Sequence, residues 1–150
     1  MRALITAALL LAPTPAWSQP ACRVTVSGLD FGIYSTRSTA PRNNIGAVDV
    51  ACAGAVATAI SPRVTITAGN SGNYLDRVML SGADELHYNL YADVARTLVL
   101  GDGSSGTVPF PPPRVSSPGR ARFVIFGTIQ PRQLVPAGSY SDTLLIQVEF

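Results

Sequence analysis

Apolar and polar residues alternate along much of the chain, and turn-forming residues separate the alternating runs. In one run Leu86, Tyr88 and Leu90 alternate with polar or amphipathic neighbours. A period of two indicates a β-strand with one buried face. The pattern predicts strands at Cys22–Ser27, Leu29–Tyr34, Gly46–Cys52, Arg63–Ala68, Val78–Ser81, Leu86–Ala92, Thr97–Leu100, Arg122–Gln130 and Ser139–Phe150. Short strands with turns about every 8–12 residues predict an all-β sandwich or barrel.

The final run alternates most regularly. Leu144, Ile146, Val148 and Phe150 fall on one face, with polar residues opposite them. The sequence stops on this core-facing strand. Such a strand either completes the domain or awaits a neighbouring strand from another molecule.

The first twenty residues differ from the rest. Arg2 precedes a ten-residue apolar run, and the small residues Ala16 and Ser18 follow it. This pattern predicts a secretory signal peptide at 1–18 and an exported domain at 19–150. The run is too short to span a bilayer, which needs roughly 20 apolar residues, so we do not expect an integral membrane protein.

Charge and cysteine content narrow the classes of partner. The eleven basic residues, all arginine, face nine acidic ones, and no basic run with interleaved aromatic residues occurs. Nucleic acid is therefore not an expected partner.

Cys22 and Cys52 are the two cysteines. An even pair in an exported chain predicts one disulfide, closing a loop of about 30 residues.

Candidate chemistry is sparse. The single histidine, His87, falls on the polar face of a predicted strand, and no Gly-x-Ser-x-Gly nucleophile motif is present. Most aspartates lie in predicted turns, where they commonly bond the local backbone. The sequence predicts no catalytic residue, no metal site and no cofactor.

Several local motifs together resemble one family. In order they are CRVTV at 22–26, LDFGIY at 29–34, GAVDVAC at 46–52, RVM at 77–79, LHYNLYAD at 86–93, GDG at 101–103, FGTI at 126–129 and GSYSDTL at 138–144. This ordered set, over residues 22–150, resembles the spore coat protein U domain. That family includes subunits of archaic chaperone–usher (Csu-type) pili of Gram-negative bacteria.

The resemblance implies an incomplete immunoglobulin-like β-sandwich that lacks its final strand. It implies a hydrophobic acceptor groove beside the strand that carries Leu144, Ile146, Val148 and Phe150. A periplasmic chaperone would cover this groove first. At the outer-membrane usher, another pilus subunit would then donate a strand to it. Surface attachment and biofilm formation are the implied roles.

Tyr140 precedes Asp142 where the last strand begins. Its hydroxyl is positioned in the sequence to pin the preceding turn, as the tyrosine corner of such sandwiches does. The alternative is a half-buried strand aromatic.

One feature departs from a polymerising subunit. Only Gln19, Pro20 and Ala21 lie between the predicted cleavage site and Cys22, and three residues reach at most about 10 Å. We expect a chain that accepts a strand without donating one, as at the tip of a fibre. The alternatives are a misassigned start, a non-polymerising secreted relative, or one domain of a divided tip protein.

A proline-rich segment is the candidate surface-contact loop. Val108, Phe110, Pro111 and Pro112 make it stiff and apolar, which favours contact with a hydrophobic surface. The alternative is a plain connecting loop.

The competing function for the whole chain is a stand-alone secreted β-sandwich that binds a ligand or forms a coat without polymerising.

Overall fold

The computed structural model describes residues 21–53, 62–111, 114–117 and 119–149. The strands are β1 Ala21–Ser27, β2 Arg42–Ala53, β3 Arg63–Ile66, β4 Arg77–Ser81, β5 Asp84–Tyr91, β6 Arg114–Ser117, β7 Arg120–Ile129 and β8 Ile146–Glu149. A one-turn 3-10 helix spans Gly69–Ser71. The predicted signal peptide at 1–18, Pro112 and Phe150 lie outside the described residues.

Six strands form the larger sheet. Its order is β1-β2-β7-β5-β4, all antiparallel, and β6 pairs with β7 beside β5. Alternate residues of β2 and β7 face inward and are almost fully buried, among them Val48, Val50, Phe123 and Ile125. The alternation seen in the sequence therefore marks the inner face of this sheet.

The smaller sheet contains β3 and β8, paired antiparallel with Val64 opposite Val148. The chain reaches β8 from the far edge of the larger sheet, where Leu80 and Ser141 exchange both backbone hydrogen bonds at 2.8 and 3.1 Å. The two sheets enclose a core that includes Val64, Leu90 and Ile129. The fold is an immunoglobulin-like β-sandwich that lacks a strand in its smaller sheet.

A disulfide joins Cys22 to Cys52, which are register partners on β1 and β2. This confirms the predicted pairing. The bond fastens the edge strand β1 to the sheet, and β1 leads directly into the segment that borders the groove described below.

Arg77 at the start of β4 is fully buried, and both terminal nitrogens of its guanidinium make hydrogen bonds, whereas its Nε has no partner among the described residues. It donates to the carbonyls of Tyr74, Thr67 and Leu100 and to Oδ1 of Asn89, at 2.7–3.2 Å. Burial lowers the pKa of the Arg77 guanidinium because the charged form is desolvated. These bonds tie β4 and β5 to the loops around them.

Most predicted strands are present, with shifted ends, but three predictions need correction. Leu29–Tyr34 forms no strand, and Thr97–Leu100 contributes only isolated bridges at Val99 and Leu100. The predicted strand Ser139–Phe150 is strand only over Ile146–Glu149 within its described residues 139–149, because Ser141 still pairs with the larger sheet. The strand β6 was not predicted at all.

The predicted surface-contact loop is wrong at its central residue. Phe110 is only 6 % exposed, its ring lies edge-on to Phe123 at 5.7 Å, and its N–H donates to the carbonyl of Val64. Val108 is half-buried and pairs with Leu100. Phe110 belongs to the core because the segment runs beside β3, and Pro111 is left exposed.

Candidate functional site

An open groove runs between the two sheets. It consists of two adjoining cavities of about 770 and 310 Å³ that share Leu29, Phe31, Met79 and Tyr140. One wall is formed by the end of β1 and the segment after it, residues 26–37, and the other is the segment 135–146 that leads into β8. Apolar core side chains form the floor, including Ile66, Met79, Leu86, Leu90, Ile125 and Ile129.

The first wall packs on the larger sheet where that sheet carries a glycine. A Cβ at Gly127 would lie 2.7 Å from side-chain atoms of both Leu29 and Phe31. Glycine is therefore required there, since any side chain would displace the two residues that line the groove.

The first wall is held by side chains rather than by a backbone ladder. Nε of Arg42 donates to the carbonyl of Phe31 at 2.6 Å, and the Asn44 amide donates to the carbonyl of Asp30. Oδ1 of Asp30 accepts from the N–H of Gly32, whose φ is 64°. This local turn bends the chain out of extended geometry, so the apolar alternation here does not become a strand.

One end of the groove is closed by Tyr34. Its hydroxyl donates to the carbonyl of Gln130 and accepts from the N–H of Gln133, both at 2.9 Å. The Gln133 side-chain amide in turn makes two hydrogen bonds with the backbone of His87, at 2.7 and 2.8 Å. The first wall is thereby connected to β5 beyond the end of β7.

The second wall is fixed through Asp142. Its carboxylate accepts from the Tyr88 hydroxyl at 2.6 Å and from the N–H of Asn70 at 2.8 Å. A Cβ at Gly69 would collide with the same carboxylate. The short helix can therefore approach Asp142 this closely only because residue 69 is glycine. The Tyr140 hydroxyl donates to the carbonyl of Pro136 at 2.9 Å, which bridges the turn at the start of this wall.

Burial raises the pKa of the Tyr88 hydroxyl, and the hydrogen bond to Asp142 and that residue's charge raise it further. The phenol therefore stays protonated and serves as a fixed donor at neutral pH. Its partner Asp142 is held at the point where the chain leaves the larger sheet.

The outer edge of β8 faces the groove. The N–H of Thr67 donates to the carbonyl of Leu145 at 3.0 Å, so Leu145 turns its backbone groups toward β3. Because backbone direction alternates along an antiparallel strand, Leu144, Ile146 and Val148 turn theirs away from β3. Within the described ranges, β8 has no second strand neighbour to accept these bonds.

Apolar side chains beside this edge are left uncovered. Val24 and Val26 point to the inner side of β1, yet they are 40 % and 49 % exposed, and Ile33 is 89 % exposed. Leu144, Ile146 and Val148 are half-buried against the core. An exposed apolar channel beside unpaired backbone groups is suited to bind an extended segment with alternating apolar side chains.

The structure brings together some of the predicted site residues. Leu144, Ile146, Tyr140 and Asp142 all line the groove, whereas Phe110 lies in the core. The first wall was not predicted as part of the site. The sequence signal for this wall is the motif LDFGIY at 29–34, since its apolar residues alternate around a glycine.

In residues 21–53, 62–111, 114–117 and 119–149, no three His, Cys, Asp or Glu side chains group to hold a metal ion. That same part of the chain has no helix with the length and hydropathy to cross a membrane.

The Spore Coat Protein U domain matches residues 5–147 of the chain. The chain belongs to the Spore Coat Protein U domain family. No curated protein matches the chain. Among solved structures, a similar chain occurs in the CsuC-CsuE chaperone-tip adhesion subunit pre-assembly complex, from archaic chaperone-usher Csu pili of Acinetobacter baumannii.

That similarity has a TM-score of 0.56 at 21 % sequence identity, and it covers 88 % of this chain and 40 % of the other. At this identity the likeness shows the fold. The matched region spans well under half of the length of the other chain.

Proposed function

We propose that this chain is an exported subunit of a chaperone–usher surface pilus, and that its open groove accepts a β-strand from another protein. A periplasmic chaperone supplies the first strand, and a neighbouring subunit replaces it at the outer-membrane usher. The chain thus passes through the periplasm to the cell surface. The observation that carries the proposal is the outer edge of β8, which no described strand pairs with and which lies beside an apolar groove.

Strand addition fits the geometry of both walls. A strand laid beside β8 gains main-chain hydrogen bonds from Leu144, Ile146 and Val148. Its alternate side chains cover Val24 and Val26 on the opposite wall. Apolar burial is worth about 25 cal/mol per Å², so closing the groove stabilises the domain while removing an edge prone to aggregation.

The tip position and a role in attachment and biofilm formation are the finer part of the proposal. The solved structure with the same fold contains a tip adhesion subunit. The intact mass of the mature chain tests the tip position. A mature terminus just before Cys22 leaves no segment that reaches a neighbour's groove, whereas a longer one supplies a donor and contradicts the tip position.

Replacing Val148 with proline tests strand addition directly. Proline removes an N–H that faces the groove, and it is tolerated on edge strands. We expect capture by a co-expressed chaperone of the Csu type to weaken about tenfold or more, because one hydrogen bond is lost and the ring obstructs the incoming strand. Val148→Ala is the matched control, since it removes more side chain than proline does but keeps the N–H.

Hydrogen exchange of the backbone amides of β8 is the measurement that can contradict strand addition. In the free chain the amides of Ile146 and Val148 should exchange quickly while that of Gln147, directed at β3, exchanges slowly. All three should be slow in the chaperone complex. A stable free monomer in which Ile146 and Val148 are already protected would contradict the proposal and favour a stand-alone secreted module.

A further inference from the structure

The outer face of the larger sheet carries a cluster of arginines that the linear sequence conceals. Arg23 on β1, Ala51 on β2 and Arg120 on β7 form one row across the sheet, because each is the register partner of the next. The adjacent row contains Thr25, Asp49 and Arg122. We call these two rows the basic rows.

The basic rows lie on the solvent side of the sheet, opposite the groove. Arg120 and Arg122 are exposed, whereas Ala121 and Phe123 between and beyond them are buried. Adjacent strands are about 4.8 Å apart, so Arg23 and Arg120 are separated by about 10 Å at the backbone. The cluster is therefore compact although its members come from three distant parts of the chain.

The charge of the basic rows is poorly compensated. They contain three arginines and one acidic residue, Asp49, which gives a formal net charge of +2. The ion pair between Asp49 and Arg122 is 3.4 Å long, and both side chains are about half exposed. Such surface pairs contribute little to stability.

We propose that the basic rows bind a linear acidic polysaccharide through its carboxylate or sulfate groups. Guanidinium groups bind such oxyanions with two parallel hydrogen bonds, and arginine is the sole basic side chain in this protein. The residues between the arginines are Ala51, Thr25 and Asp49, none of which offers a ring to stack on a base. This favours an acidic glycan over nucleic acid.

Binding of the full chain to immobilised alginate, a polymer of uronic acids, tests the inference. Binding should occur in about 50 mM salt, weaken steeply as salt rises, and be absent with uncharged dextran. The double variant R120Q/R122Q should bind about tenfold or more weakly. The matched control R63Q/R132Q removes the same charge from exposed sites elsewhere and should bind like the unmodified chain.

Asp49→Asn gives a test that damage to the fold cannot mimic. Removing the one carboxylate from the rows should tighten alginate binding by several-fold. Equal losses for the two double variants, or no gain for Asp49→Asn, would overturn the inference. Tighter binding of a DNA duplex than of alginate would overturn the class of ligand.

Discussion

At the scale of single residues, the contact between Tyr88 and Asp142 matters most for the groove. It joins the middle of β5 to the part of the second wall where the chain leaves the larger sheet, and the N–H of Asn70 donates a further hydrogen bond to the carboxylate. The sequence placed Asp142 at the start of the last strand, but it gave no sign of these partners. They are 54 and 72 residues away along the chain, and only the packing of the two sheets brings them together.

The Tyr88 phenol makes the free energy of unfolding depend on pH in the alkaline range. Its pKa is raised above the ordinary value of 10.0 in the folded protein, so the folded state holds this proton more tightly than the unfolded state does. The contribution is complete below pH 10. Above it, the free energy of unfolding should fall by up to about 1.4 kcal/mol per pH unit.

Urea unfolding between pH 8 and pH 11 measures this slope. Tyr88→Phe should flatten it, since no ionisable phenol remains at that buried site. Tyr91→Phe, on the other face of the same strand, is the control and should keep it. An unchanged slope in Tyr88→Phe would show that the loss of stability comes from other groups.

At the scale of elements, alternation in the sequence identified strands well where a backbone partner exists. β2 and β7 pair along ten residues, and their inward positions match the apolar ones. Alternation failed at Leu29–Tyr34, because it reports an apolar face and not a hydrogen-bonded neighbour. It missed β6 because Arg114–Ser117 contains a single apolar residue. The sequence analysis therefore predicted the second wall as part of the site, and it did not predict the first.

The segment before β6 illustrates the same limit, since a proline-rich stretch around Phe110 resembles an exposed loop in sequence. Its burial against Phe123 predicts that Phe110→Ala lowers the free energy of unfolding by about 3–5 kcal/mol. Pro111→Ala, one residue further and exposed, should change it by less than about 0.5 kcal/mol. Denaturant unfolding measures both. Equally small effects of the two substitutions would contradict the burial of Phe110 in the core.

At the scale of the whole molecule, both surfaces proposed to bind partners arise from topology. Among the described residues the groove exists because a sheet of six strands faces a sheet of only two. The basic rows exist because β1, β2 and β7 bring distant arginines into register. Neither arrangement follows from local sequence, since residues 23 and 120–122 are nearly 100 positions apart. The two surfaces lie on opposite faces of the larger sheet, so each can be altered without touching the other.

A covalently attached strand tests whether the sandwich is incomplete. Extending the chain after Phe150 with an Asn-Gly turn and about ten residues of alternating Val and Thr would fold a hairpin back along β8. The new strand would bond the free groups of Ile146 and Val148 and lay its valines over Val24 and Val26. We expect the free energy of unfolding to rise by on the order of 3 kcal/mol after the cost of ordering the extension.

The control exchanges every Val and Thr of the added strand. Its composition and its capacity for backbone hydrogen bonds are the same, but a shift of one residue turns the apolar face to solvent. Most of the gain should disappear in this variant. An equal gain would mean that any strand suffices at the edge of β8 and that the apolar groove selects nothing. No gain in either variant would mean that the described chain already closes its own core.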